Sequence, residues 1–73
     1  MHRQPVTSSN LVSVGYDPAL QVLEVEFKNG SVYQYYRVLP PVYHGLMAAE
    51  SKGKYLAAHV KGVYEYHRQG TPL

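Results

Sequence analysis

The sequence predicts an α+β domain: a three-stranded antiparallel β-meander followed by two short α-helices packed on one face. Three observations lead there. Asn29-Gly30 lies between two β-prone runs, and both residues tolerate the positive φ that a tight hairpin turn requires. Gln21 to Phe27 alternates, with Leu23, Val25 and Phe27 on one face and Val22, Glu24 and Glu26 on the other. After Pro40-Pro41 the apolar residues recur at helical spacing, first as Val42, Leu46 and Ala49, then as Leu56, Val60 and Val63.

Residues 1–8 are polar, contain one proline and lack periodicity, so they read as a flexible lead-in. Leu11 to Tyr16 is the first strand, ended by Asp17-Pro18, where proline supplies the turn's φ and Asp17 can bond the backbone ahead of it. Gln21–Phe27 is the second strand and Ser31–Val38 the third. Pro40 and Pro41 cannot donate to a ladder, but they suit a helix's first turn, so a helix is expected from Pro41 to about Glu50. Its flanks carry Tyr43 and Met47, with His44 and Ala48 outward. Ser51 reads as the cap of a second helix, Lys52 to about Lys61, with Lys54 and Lys61 away from its apolar face and Gly62 as its stop. Val63 to Arg68 alternates enough to be extended, either adding to a sheet edge or only draping over the sheet, and 69–73 is a tail.

Two hairpin registers are open. A two-residue Asn-Gly loop sets Phe27 opposite Val32 and turns Tyr33 and Tyr35 toward Glu24 and Glu26. A three-residue Lys28-Asn29-Gly30 loop with a glycine bulge sets Tyr33 and Tyr35 opposite Val25 and Leu23. The second gathers the apolar residues on one side and leaves Glu24 and Gln34 facing water, so core economy favours it.

A chain of 73 residues is one domain that buries roughly 60% of its unfolded surface, leaving little volume for a deep active site. No enzyme activity and no cofactor are expected. The absence of cysteine excludes disulfides and thiolate metal sites and fits a cytoplasmic protein. The four histidines never fall at metal-binding helical spacing. Nothing approaches a membrane span or a signal peptide. The net charge is only +2, yet residues 1–39 are balanced and the whole excess lies in 40–73, on Lys52, Lys54, Lys61 and Arg68 against Glu50 and Glu65.

The ordered series Ser9-Asn10-Leu11, Gly15-Tyr16-Asp17, Leu23-x-Val25-x-Phe27-x-x-Gly30, Tyr33-x-Tyr35, Val38-x-Pro40, Ser51-x-Gly53-x-Tyr55 and Tyr64 resembles the KTSC domain family. The likeness covers about residues 8–68, and the domain is drawn at 9–68. The family is named from copies at the C-terminus of some bacterial lysyl-tRNA synthetases and also occurs as stand-alone small proteins. The resemblance therefore implies a bacterial single-domain protein for which RNA binding is suggested, with Gly30, Tyr33, Tyr35, Ser51 and Tyr55 as structural motif residues. Ala57 and Ala58 depart from the pattern, where a polar residue, often asparagine, is expected.

Eight tyrosines with one phenylalanine and no tryptophan are a compositional bias. Aromatic rings on a sheet can stack unpaired bases. Singly, Tyr16, Tyr33 and Tyr35 are better explained as large half-buried core residues, which leaves Tyr36, on the opposite strand face, as the stacking candidate. Lys52-Gly53-Lys54 sets two cations at a helix start with free backbone N–H groups, an arrangement suited to a phosphate. A solvated helix face is the plainer account of any one lysine, but with His59, Lys61, Arg68 and, in support, Arg37 they form a candidate nucleic-acid-binding set. Glu24 and Glu26 read as solvent-facing residues that keep the sheet soluble. The leading expectation is a non-enzymatic RNA-binding module, and the alternative is a protein-interaction module, either one a monomer or weak homodimer.

Overall fold

A computed structural model describes residues 2–69. The elements in chain order are β1 Gln4–Pro5, β2 Leu11–Asp17, β3 Val22–Phe27, β4 Val32–Tyr35, α1 Pro40–Ala48, α2 Lys52–His59 and β5 Tyr66–Arg68. All neighbours pair antiparallel in one sheet of order β1-β2-β3-β4-β5. The α+β class and the central meander stand, but the sheet has five strands rather than three. One added edge is the C-terminal segment, as its alternation allowed. The other comes from residues expected to be a flexible lead-in, because β1 pairs Gln4 with Val14 and Pro5 with Ser13. Residues 70–73 of the expected tail lie outside the described residues.

The hairpin adopts the bulged register. Val25 faces Tyr33 and Leu23 faces Tyr35, with Phe27 N–H donating to the Ser31 carbonyl at 2.8 Å and Gly30 N–H to the Phe27 carbonyl at 2.9 Å. Gly30 takes φ +91°, the left-handed bulge position that glycine occupies at least cost, while Asn29 Oδ1 accepts the Ser31 N–H at 2.9 Å. Asp17 Oδ1 closes the preceding turn by accepting the N–H groups of Ala19 and Leu20.

Both helices cover the sheet face that carries Leu23, Val25 and Tyr35. Leu11, Val14, Leu46, Leu56, Val38 and Val60 complete the core, each at most 1% exposed. Prolines occupy the first turn of α1, and Ser51 Oγ accepts the Lys54 N–H at the start of α2. Tyr55 from α2 lies across α1 at Gly45, where a Cβ would sit 2.7 Å from Tyr55 Cζ. That glycine is what lets the two helices close. The second helix ends at His59 rather than near Lys61, and Gly62 at φ +76° turns the chain. Helical phase is lost there, so Val63, expected in the core, is 64% exposed and Tyr64 packs against the core instead.

The opposite sheet face is not simply wetted. Glu24, expected to face water, is 6% exposed and accepts from Arg3 Nη1 at 2.6 Å and Gln34 Nε2 at 2.8 Å. Ser13 Oγ accepts from Arg3 Nε and donates to Glu26 Oε1 at 2.9 Å. The arginine preceding β1 reaches over the sheet and supplies the charge that lets a carboxylate be buried there.

Candidate nucleic-acid interface

The turn after α2 brings Lys61 to the far end of β3, where its ammonium stands 5.3 Å from the Phe27 ring centroid. Phe27 meets Tyr33 edge to face at 5.4 Å, and Tyr33 stacks on Tyr66 at 5.4 Å. Tyr66 is 59% exposed and leans on Tyr35 as well. The result is an aromatic row, Phe27-Tyr33-Tyr66, running across three strands beyond the helices. Arg68, the cross-strand neighbour of Tyr33, holds the far side by donating from Nη2 to Ser31 Oγ at 2.9 Å. Burial pushes the Tyr35 phenol up to about 12, with the Tyr33 and Tyr66 phenols adding to the shift.

Beside the row, a cleft of about 260 Å³ opens between the β3–β4 turn and α2, lined by Ser9, Asn10, Lys28, Asn29, Gly53 and Lys61 with Phe27 and Leu56 at its base. Lys28 N–H donates to the Asn10 carbonyl at 2.9 Å and ties the hairpin turn to the loop before β2. Gly53 makes room for that loop, since a Cβ there would sit 2.9 Å from Asn10 Nδ2. A smaller hollow of about 150 Å³ continues past Lys61 along Asn29, Ser31 and Tyr33.

The sequence-derived candidates divide. Lys61 and Arg68 meet at this surface. Lys54 is exposed at the start of α2, whereas Lys52 bends back to the Ala49 carbonyl at 3.2 Å. Gly53 admits Asn10 rather than standing open for a phosphate. His59 packs on Tyr55, with ring centroids 4.5 Å apart. Arg37 and Tyr36 are not brought in. Arg37 is at the opposite end of β3, beside Gln21, with φ +59°. Tyr36 lies on the face of the Arg3–Glu24 network, its hydroxyl 3.5 Å from Gln34 Oε1. Conversely Asn10, Phe27, Lys28, Asn29 and Tyr66 belong to the site but read from sequence as turn and strand residues. Helical spacing does not reach Lys61, which lies in the turn after α2, so its place beside Gly53 was not legible as a periodic signal.

Among the described residues no group of three or more histidine, aspartate or glutamate side chains could hold a metal ion, and no helix is long and apolar enough to cross a membrane.

Comparison with known proteins gives a consistent answer. The KTSC domain family profile matches residues 7–64. A protein of Tsukamurella paurometabola is 48% identical over 58 residues, which are 80% of this chain and 87% of that protein. A lysine–tRNA ligase of a Nostoc species is 40% identical over 53 residues, 73% of this chain but 9% of the ligase. The crystal structure of a KTSC domain protein from Yersinia pestis superposes with a TM-score of 0.89 at 38% identity, covering 94% of this chain and 97% of that one. With the hairpin, the capped second helix and the tyrosine pair placed as the motif series requires, this chain belongs to the KTSC domain family.

Proposed function

We propose that the domain is a non-enzymatic module that binds single-stranded RNA in the cytoplasm. The observation that carries this reading is the Lys61 ammonium over the Phe27 ring, at the end of a row of aromatic side chains bounded by Lys28 and Arg68. Single strands are held where cations track the backbone and ring faces accept bases, and the outer face of Tyr66 is open for a base. On the sheet's other face Glu24 is buried and paired with Arg3, and Glu26 lies 3.7 Å from the same guanidinium, so these two carboxylates are already engaged there. Lysine–tRNA ligases among the relatives supply the RNA preference, since a domain-sized match recurs in proteins named for an RNA substrate.

Anisotropy of a labelled mixed-sequence 12-nucleotide RNA, measured across salt concentrations, tests the reading. Three phosphates neutralised on a single strand give a log–log slope near about −2. Absence of binding at low salt returns the domain to the alternative, a protein-interaction module presenting its exposed β5 edge.

A further inference from the structure

The cleft between the β3–β4 turn and α2 differs in chemistry from the aromatic row beside it. Its base is apolar, from Leu56 and Phe27, and its rim carries two ammonium groups, Lys28 and Lys61, and two carboxamides, Asn10 and Asn29. Asn29 uses Oδ1 to accept the Ser31 N–H, which leaves its NH2 group available. Asn10 is fixed through its backbone, its N–H on Ser8 Oγ and its carbonyl on Lys28 N–H, so its carboxamide is held against Gly53 without being spent on the turn. A carboxamide presents a donor beside an acceptor, the pattern that pairs with the edge of a base. The volume, about 260 Å³ with a further 150 Å³ adjoining, is at the low end of small-ligand sites and excludes a duplex.

We infer that this cleft takes one unpaired nucleotide, its phosphate between Lys28 and Lys61 and its base edge against the Asn10 carboxamide. This rests on the RNA-binding reading and adds to it a site that reads the base, next to a row that only stacks. Gly53 is a positioning residue, because any side chain there displaces the Asn10 carboxamide from the wall.

Amide chemical-shift titrations of the full chain with adenosine and uridine 5′-monophosphates, with inorganic phosphate and with the 12-nucleotide RNA test it. The nucleotides are expected to shift the amides of Asn10, Lys28, Asn29, Gly53 and Lys61, and phosphate alone to leave Asn10 and Gly53 in place. Asn10→Ala is expected to weaken RNA binding by about fivefold or more with an unchanged salt slope, since the phosphate contacts remain. Gly53→Ala, which keeps the asparagine, is expected to do the same, and the spread of amide shifts checks that both variants fold. Native RNA affinity in both folded variants, or RNA shifts confined to Tyr33, Tyr66 and Arg68, overturns the nucleotide site and leaves RNA binding standing. No shift with RNA at all overturns both.

Discussion

Lys61 and Phe27 are far apart in sequence, yet the ammonium stands 5.3 Å from the ring centroid. Such a contact is worth about 0.5–1 kcal/mol at an exposed site and holds the turn after α2 on the hairpin. The same cation faces the cleft, so it links the fold to the proposed interface.

Lys61→Gln in the RNA-binding assay is therefore expected to lower affinity and to reduce the log–log salt slope by about 0.7, the share of one phosphate on a single strand. Arg37→Gly is the matching contrast. Arg37 is in the left-handed region at the other end of β3, where glycine relieves about 1 kcal/mol of backbone cost, so stability should hold or rise and RNA affinity should not change. A loss of affinity in Arg37→Gly equal to that in Lys61→Gln would move the interface.

Arg3→Ala removes the cation from a carboxylate that is 6% exposed. Chemical denaturation should show a loss of about 1–3 kcal/mol, more than an ordinary surface pair, because Glu24 is left short of partners. A double-mutant cycle of Arg3→Ala with Glu24→Ala should return coupling above about 0.5 kcal/mol. Zero coupling would mean that β1 is not clasped to the sheet through this pair.

Gly45→Ala places a methyl group where the Tyr55 ring lies. Overpacking of this kind costs about 1–3 kcal/mol in thermal or chemical unfolding. Tyr55→Phe in the same chain removes the oxygen that meets the new methyl and should recover part of the loss. By comparison, Leu46→Ala at a fully buried position should cost about 2–4 kcal/mol.

The Tyr35 phenol, pushed up to about 12 by burial, binds its proton in the folded state at pH values where an unfolded tyrosine has lost it. Its contribution to stability is complete below pH 10 and is lost as pH rises from about 10 toward 12. Tyr35→Phe should flatten that alkaline decline in a circular-dichroism unfolding series. An identical decline in the variant would assign the alkaline limb to other groups.

What the sequence disclosed was local chemistry. Asn29-Gly30 predicts the turn, core economy selects the bulged register, Ser51 predicts its cap, and the periodicity of Val42, Leu46, Leu56 and Val60 predicts the face each helix buries. The misses are long-range. A two-residue strand containing Pro5 has no periodicity to read, and what holds it is an arginine pairing with a carboxylate 21 residues away. The end of α2 shifted Val63 outward because the helix stopped two residues sooner than its apolar spacing suggested. Arg37 and Tyr36 belong to a basic-aromatic set by residue type, but the meander places Arg37 at the other end of β3 from Lys61 and Tyr36 on the sheet face opposite Tyr33. Asn10 was visible only as a motif residue, since its role depends on a glycine 43 positions on.

The most direct test of the account is a map of amide chemical-shift changes on adding the 12-nucleotide RNA at low salt. The predicted result is a continuous set of shifts over Phe27, Lys28, Lys61, Tyr66 and Arg68 that fades as salt is raised. A flat map, or one centred on Tyr36 and Arg37, would contradict it.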